Sequence, residues 1–237
     1  MHAVILAGGR GVRLRPYTTS LPKPLVPLGD EYAIIEVVLR QLSAHGFDSV
    51  TIAIGHLGQL IRAYCGDGAQ WGLSIRYWTE DTPLGTMGPI VAHLDDLPEH
   101  FVVMNGDVLT DLDYAALLEG HAASAAPLTV ATYDRTVLID FGVLDIADDQ
   151  ISAFREKPTE QFSVSMGVYA VSRETLRGYA TGVALGFDEL VLDLLETDTP
   201  PRVSPFDGYW LDIGRPDDYD TANDEWPSLR RKLLPDL

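Results

Sequence analysis

The sequence has little cysteine and little positive charge. Cys65 is the only cysteine among 237 residues, so an internal disulfide is excluded and we expect a small core residue. The six histidines are scattered without the spacing of metal ligands. Lysine and arginine number 17 against 35 aspartates and glutamates, for a net charge of -18. Because such a field repels nucleic acids and anionic membranes, we predict neither as a partner.

Long apolar runs and a leader sequence are also lacking. No stretch approaches the roughly 18 apolar residues of a membrane span, and the first residues show neither a basic segment nor a cleavage site. We therefore predict a cytoplasmic protein, and leave self-association into a homo-oligomer open. With 46% hydrophobic residues the chain has enough apolar side chains for one core, so we predict a single domain over residues 1–237.

The apolar pattern alternates between strands and helices. HAVILA, from His2, and SVTIAIG, from Ser49, are short β-branched runs, and YAIIEVVLRQLSAHG between them has helical periodicity. LSIRYWTE, HFVVMNGD and PLTVATYD repeat the strand pattern, while TMGPIVAHLDDL, YAALLEGHAA and FDELVLDLLET repeat the helical one. After Asp134 the strands VLIDFGVLDI, QISAFREK and VSMGVYAVS follow one another, which favours antiparallel pairing. These patterns predict a doubly wound α/β sheet with an antiparallel insertion, and its ligands are expected beyond the carboxyl ends of the strands.

A glycine loop with cations follows the first strand. Gly8, Gly9 and Gly11 allow backbone N–H groups to approach a phosphate closely. A dinucleotide fingerprint fails because Leu14 stands where glycine or alanine is needed, and no P-loop lysine follows. Arg13 and Lys23 supply charges that suit phosphate oxygens, although arginines that merely pair with surface carboxylates remain an alternative.

Two carboxylates stand at other strand exits. Asp107 follows HFVVMNG and Asp212 follows YWL. An aspartate at a strand exit is often only a helix cap. If both exits open on one cleft, the pair matches the one or two carboxylates that Mg²⁺ takes beside ligand phosphates. Glu156 and Lys157 form a third charged cluster, either a sugar and phosphate contact or an exposed ion pair.

Taken together, these motifs resemble those of the sugar-1-phosphate nucleotidylyltransferases over nearly the whole chain. GGRGVRLRPYT from Gly8 and PKPL from Pro22 match the family's signature loop. Further matches are EDTPLGTMGPI, NGD, FGV, EKP, SMGVY and DIGRPDDY. Val12 replaces a usual threonine, and Ser165 stands where many members carry asparagine.

The resemblance implies a Rossmann-like fold and a reaction in which an NTP and a sugar 1-phosphate give an NDP-sugar and pyrophosphate. It assigns residues 1–134 mainly to the nucleotide, 135–210 mainly to the sugar, and 211–237 to a metal-ligand strand end and the C-terminal helix. The implied catalytic residues are Arg13, Lys23 and Asp107, and the implied Mg²⁺ ligands are Asp107 and Asp212. The implied nucleotide-binding residues are Ala7, Gly8, Gly9, Gly11, Arg13, Lys23, Glu80, Gly85 and Thr86. The implied sugar-phosphate-binding residues are Asn105, Gly142, Glu156, Lys157 and Ser165.

The motifs indicate the base of the nucleotide less closely than they indicate the reaction. PLGTMGPI is more similar to the mannose- and heptose-1-phosphate guanylyltransferase branch than to the thymidylyl or cytidylyl branches, which favours GTP. The alternatives are an enzyme that uses UTP or dTTP, and a non-catalytic nucleotide-sugar-binding regulatory subunit of the same fold. A nicotinamide-dependent dehydrogenase is disfavoured by Leu14 and by the cations of the loop.

Overall fold

A computed structural model describes residues 1–80 and 82–234. Asp81 of the EDTPLG motif, and residues 235–237 of the predicted domain, lie outside the described part. The strands are β1 (His2–Ala7), β2 (Pro27–Leu28), β3 (Tyr32–Ala33), β4 (Ser49–Ile54), β5 (Ser74–Thr79), β6 (His100–Asn105), β7 (Val108–Thr110), β8 (Leu128–Leu138), β9 (Gly142–Ala147), β10 (Gln150–Glu156), β11 (Thr159–Ser172), β12 (Arg202–Phe206) and β13 (Trp210–Asp212). The α-helices are α1 (Ile34–Ala44), α2 (Gly58–Cys65), α3 (Gly88–Ala92), α4 (Tyr114–Ala122), α5 (Phe187–Leu195) and α6 (Pro216–Leu233).

Seven strands form the central sheet, in the order β12-β8-β11-β6-β1-β4-β5. β1 lies parallel to both β4 and β6, and β4 lies parallel to β5. β11 enters antiparallel between β6 and β8. The predicted fold class is therefore confirmed: the sheet is mixed, mostly parallel on one side, and flanked by helices.

The two faces of the sheet are buried by different helices. Ile5 faces α1, α2 and α4, whereas its neighbour Val4 faces α3 and α5, because successive side chains of a strand point to opposite sides. The strand β1 is therefore apolar at consecutive positions, as a strand buried on both faces must be. Cys65 is buried in the first of these layers, as predicted, and burial raises the pKa of its thiol to about 12.

Several elements differ from the sequence-based expectations. The strand predicted to end at Asp134 continues to Leu138, since its outer half pairs with the long strand β11. The predicted helix TMGPIVAHLDDL is only the five-residue α3 followed by a 3₁₀ turn. The segment VLIDFGVLDI, predicted as one strand, is divided between the end of β8 and β9. Helix α2, strand β12 and the short strands β2, β3 and β7 had not been predicted. Because residue 134 lies inside a strand, the division into residues 1–134 and 135–210 stays a prediction about function.

Helix α6 packs across the segment that follows the glycine loop. Trp226 is buried with Leu14 and Leu28. Its ring packs so closely against Gly29 that a Cβ there would lie 2.6 Å from the ring carbon Cδ1. Gly29 adopts a φ of 54°, which also favours glycine at this position. The C-terminal helix is thereby fixed against the loop that carries the cations. Within the described residues, no helix is long and apolar enough to cross a membrane.

Replacing Trp226 by alanine tests this packing. We expect Trp226→Ala to lower the free energy of unfolding by about 3–5 kcal/mol, the range for truncating a buried aromatic residue. Urea denaturation followed by circular dichroism measures the change. Phe154→Ala is the control, since Phe154 is 59% exposed and its loss should cost far less. Equal losses in the two variants would contradict a structural role for α6.

Candidate active site

A cleft of about 460 Å³ opens beyond the carboxyl ends of β1, β4 and β6. Its position is the one expected for a ligand site in an open α/β sheet. Every residue that the resemblance assigned to the nucleotide lines it, and so do two residues assigned to the sugar phosphate or the metal. These lining residues are Ala7, Gly8, Gly9, Gly11, Arg13, Lys23, Glu80, Gly85, Thr86, Asn105 and Asp107.

The glycine loop begins where β1 ends, and its shape depends on Gly11. This residue has a φ of 59°, and a Cβ there would lie 3.0 Å from the methyl carbon of Thr18. The Thr18 hydroxyl donates to the carbonyl oxygen of Gly11 at 2.7 Å. This hydrogen bond fixes the conformation of the loop at Gly11. Val12 forms a 3₁₀ turn with Arg13, and the turn leaves the Arg13 side chain exposed beside the cleft.

Glu80 lines the cleft next to Gly8. One carboxylate oxygen, Oε1, accepts the amide hydrogen of Leu84 at 3.2 Å. The other, Oε2, lies 2.8 Å from the place that a Cβ on Gly8 would occupy. Burial raises the pKa of Glu80, and the Leu84 amide partly opposes that effect. A side chain at position 8 would therefore require the Glu80 carboxylate to move from its present place at the wall of the cleft.

The segment from Gly85 to Thr86 forms another wall. Gly85 has a φ of 75°, and a Cβ there would meet the carbonyl oxygen of Leu185 at 2.6 Å. The amide of Leu185 donates to the carbonyl of Leu84, and the amide of Met87 donates to the carbonyl of Leu185, both at 2.9 Å. The wall is thus held by the chain just before α5.

Lys23 and Asp107 form a buried ion pair. Lys23 lies in a 3₁₀ turn between Pro22 and Pro24, and its ammonium group donates directly to Oδ2 of Asp107. The Lys23 side chain is 10% exposed and that of Asp107 is 23% exposed. The other oxygen of Asp107, Oδ1, is buried and has no hydrogen-bond partner among the described residues. One acceptor at the bottom of the cleft is therefore unsatisfied.

The second predicted carboxylate stands beside the first. β7 and β13 pair so that Val108 lies opposite Asp212, and the amide of Ile213 donates to the carbonyl of Asp107 at 3.1 Å. Burial raises the pKa of Asp212, the charge of Asp107 raises it further, and Lys23 and Arg13 oppose these effects. The structure thus places two carboxylates and two cations within electrostatic reach of one another.

Asn105 and Ser165 lie where β6 meets β11. Gly167 has a φ of 74°, and a Cβ there would be 2.6 Å from Nδ2 of Asn105. Between Ser165 and Tyr169 the register of β11 against β8 shifts, and the Ser165 hydroxyl donates to that of Tyr169 at 3.3 Å. Ser165 is therefore held within the bulge, next to Asn105.

The remaining sugar residues lie on the β9–β10 hairpin. Gly142 and Glu156 are directly opposite each other, and a Cβ on Gly142 would meet the ring of Phe154 at 2.7 Å. Lys157 is exposed, with its ammonium group 2.7 Å from Oδ1 of Asp140. These three residues lie close together, but none of them is among the residues that line the 460 Å³ cleft, and their role in sugar binding stays a prediction.

The sequence reasoning missed a second cleft, of about 400 Å³, on the other side of Asp212. Arg13 and Gly214 line both clefts. The further lining residues are Tyr133, Arg135, Trp210, Leu211, Asp212, Arg215 and Asp218. Trp210 lies two residues before the DIG motif and Arg215 directly follows it, so the motif was a signal for both. Arg135 had no such signal, because it lies beyond the predicted end of its strand.

A glycine loop and a lysine–aspartate pair around one cleft, with a second aspartate in the adjoining cleft, suit a phosphate-bearing nucleotide. Residues 2–228 match the family model described as nucleotidyl transferase. The chain belongs to this family, and within it to the sugar-1-phosphate nucleotidylyltransferases, which use a nucleoside triphosphate and a sugar 1-phosphate.

Individual relatives differ in the nucleotide. The chain is 32% identical to the D-glycero-alpha-D-manno-heptose 1-phosphate guanylyltransferase of Aneurinibacillus thermoaerophilus, over 95% of this chain and 98% of that protein. It is 31% identical to the UTP–glucose-1-phosphate uridylyltransferase of Synechocystis, over 98% of this chain and 63% of that protein. The crystal structure of HddC from Yersinia pseudotuberculosis has the same fold, with a TM-score of 0.74, 24% identity, and coverage of 95% of this chain and 99% of that one.

The buried ion pair gives a test of the site's architecture. We expect Lys23→Met to lower the free energy of unfolding by about 3 kcal/mol, the lower end of the range for breaking a buried pair, because Asp107 keeps some solvent contact. The double variant Lys23→Met with Asp107→Asn should recover most of this loss, since no unpaired charge remains. Urea denaturation measures both.

Arg155→Met is the matched control for the lysine variant. Arg155 pairs with Glu160 at the surface, where it is 48% exposed, so its loss should cost less than about 1 kcal/mol. A double variant no more stable than Lys23→Met would show that Asp107 is not the partner that makes the substitution costly.

Proposed function

We propose that the protein joins GTP and a mannose- or heptose-type 1-phosphate to give a GDP-sugar and pyrophosphate. The observation that carries the proposal is that Arg13, Lys23 and Asp107 line the glycine-loop cleft at the strand ends, and that Asp212, in the adjoining cleft, lies within electrostatic reach of all three. Cations and carboxylates together suit a triphosphate with a divalent cation, whereas cations alone would serve a simple anion.

The reaction is an in-line displacement at phosphorus. An oxygen of the sugar 1-phosphate forms a bond to the α-phosphorus while the bond to the bridging oxygen of pyrophosphate breaks. In this proposal the loop amides and Arg13 bind the β- and γ-phosphates, and Lys23 neutralises charge around the α-phosphate. The residues act by positioning and charge neutralisation, which supply most of the catalysis in such transfers.

Mg²⁺ is the proposed cofactor, and the residues present fit it. Asp107 offers the buried, unpartnered Oδ1, and Asp212 is a neighbouring carboxylate. Among residues 1–80 and 82–234 no group of three acidic, histidine or cysteine side chains is placed for a metal. Phosphate oxygens and water would therefore complete the coordination, as Mg²⁺ prefers. When bound, the cation would offset the charge of the phosphate groups.

The preference for GTP rests on Glu80. With Oε1 engaged by the Leu84 amide, Oε2 at the Gly8 wall can accept hydrogen bonds from a base. Guanine presents two adjacent donors, N1–H and the 2-amino group. Uracil and thymine present one donor between two acceptors, and those acceptors would face the carboxylate unfavourably. Similarity to the Aneurinibacillus guanylyltransferase favours the same base and a heptose-type sugar.

A substrate panel tests the proposal. Purified protein with Mg²⁺, each NTP in turn, and mannose, glucose and heptose 1-phosphates should release pyrophosphate fastest with GTP. Glu80→Gln should lower kcat/KM for GTP by about 10- to 100-fold, because a charged acceptor is replaced by an amide. The loss with UTP should be smaller. Glu196→Gln, an exposed change outside the cleft, is the control.

Two results would contradict these assignments separately. A GTP-to-UTP ratio unchanged in Glu80→Gln would remove Glu80 from base selection. No pyrophosphate with any pair, together with tight binding of an NDP-sugar, would favour the regulatory-subunit alternative.

The proposed metal site predicts that replacing Asp212 has opposite effects on stability without and with Mg²⁺. Without Mg²⁺, Asp212→Asn should raise the thermal midpoint, because it removes a charge that burial and Asp107 both disfavour. With Mg²⁺ and GTP, the variant should lose the stabilisation seen for the wild type and turn over about 100-fold more slowly. Differential scanning fluorimetry and initial rates measure these effects, with exposed Asp198→Asn as control. Normal Mg²⁺-dependent turnover in Asp212→Asn would refute the ligand assignment.

A further inference from the structure

Three arginines converge on the cleft beside Asp212. Arg13 comes from the glycine loop, Arg135 from β8 and Arg215 from the start of α6. In the described part of the chain, none of the three guanidinium groups has a carboxylate oxygen within 4.0 Å. In a protein with 35 acidic residues, three arginines free of ion pairs around one cleft indicate an anionic ligand.

Among the described contacts, neither carboxylate that lines this cleft, Asp212 or Asp218, forms an ion pair with the arginines. Asp218 accepts hydrogen bonds from the amides of Gly214 at 3.1 Å and Arg215 at 2.7 Å, so its Oδ2 atom is occupied by the backbone. Those amides are consequently not offered to a ligand, and an anion here would depend on the guanidinium groups. Asp212 is the other carboxylate, and it belongs to the proposed Mg²⁺ site.

Two aromatic side chains complete the cleft. The rings of Tyr133 and Trp210 are 5.3 Å apart between centroids. The indole Nε1–H of Trp210 donates to the carbonyl of Met166 at 3.0 Å, which fixes the ring. Aromatic faces beside cations suit a ligand with both an apolar face and a charge, such as a pyranose ring that carries a phosphate. Pyrophosphate would make no use of these rings.

The lysine expected to hold the sugar phosphate is engaged elsewhere. Lys157 pairs with Asp140 and lies on the exposed hairpin, and it lines neither cleft. Arg135 and Arg215, by contrast, stand beside Asp212, where the second substrate must approach the metal and the α-phosphate.

We propose that Arg135 and Arg215 bind the phosphate of the sugar 1-phosphate, and that Tyr133 and Trp210 pack against its ring. This assignment rests on the proposed function and identifies residues for the second substrate. Arg13, shared by the two clefts, stands between the acceptor phosphate and the triphosphate.

A double variant, Arg135→Gln with Arg215→Gln, tests the assignment by binding as well as by rate. Isothermal titration with Mg²⁺ present uses mannose 1-phosphate, glucose 1-phosphate, free mannose and inorganic pyrophosphate as probes. We expect the affinity for the preferred sugar phosphate to fall about tenfold or more, as loss of charged hydrogen bonds implies, with pyrophosphate binding unchanged. In turnover, KM for the sugar phosphate should rise while KM for GTP stays the same.

The controls separate charge from folding. Arg202→Gln removes an exposed arginine of β12 and should leave every parameter unchanged. Arg135→Lys with Arg215→Lys should restore part of the affinity, because the charge returns without the planar fork. If the thermal midpoint of the double variant falls, the single variants Arg135→Gln and Arg215→Gln are titrated instead.

Other outcomes overturn the assignment. They are unchanged sugar-phosphate affinity in the variant, a loss confined to pyrophosphate, or a wild type that binds sugar phosphate no better than free mannose. Because titration needs no turnover, a chain that bound sugar phosphate through these arginines but formed no product would contradict the proposed function alone.

Discussion

The ion pair between Lys23 and Asp107 is the interaction on which the rest of the site depends. It joins the segment after the glycine loop to the end of β6, two parts of the chain 84 residues apart. The lysine occupies one oxygen of Asp107 and leaves the other, buried oxygen without a partner. A buried oxygen without a hydrogen-bond partner costs free energy, so this geometry leaves an acceptor available to the proposed Mg²⁺.

Charge balance explains how a protein with a net charge of -18 can bind polyanions. The chain as a whole repels phosphates, whereas the described residues that line the two clefts include four cationic side chains and four carboxylates, a formal charge of zero. The clefts are therefore balanced in charge within an acidic protein, and because they are partly desolvated their charges are screened less by salt than those of the open surface. The net charge of the chain would repel anionic substrates at long range and cannot steer them to the site.

The glycines around the cleft serve close packing more than mobility. Gly8 admits the Glu80 carboxylate, Gly85 admits the carbonyl of Leu185, and Gly167 admits the Asn105 amide. In each case a Cβ would lie less than 3.0 Å from a polar atom, so that atom or the backbone would have to shift. Glycine at these places thus permits close packing around the site, and not only a turn of the backbone.

The sequence by itself determined most strands of the sheet, the glycine loop and, through its motifs, residues that line the 460 Å³ cleft, because apolar periodicity and local motifs are properties of contiguous residues. It also located Asp107 and Asp212 at strand exits, although only the pairing of β7 with β13 makes them neighbours. The length of β8, the helix α2 and the cleft around Arg135 were decided by tertiary structure. Helix α2 is stabilised by burial of Ile61 and Cys65 in the core layer that also contains Ile5. The length of β8 follows from its pairing with β11, and the cleft around Arg135 follows from the meeting of β8, β13 and α6, which are contacts between residues far apart in the chain.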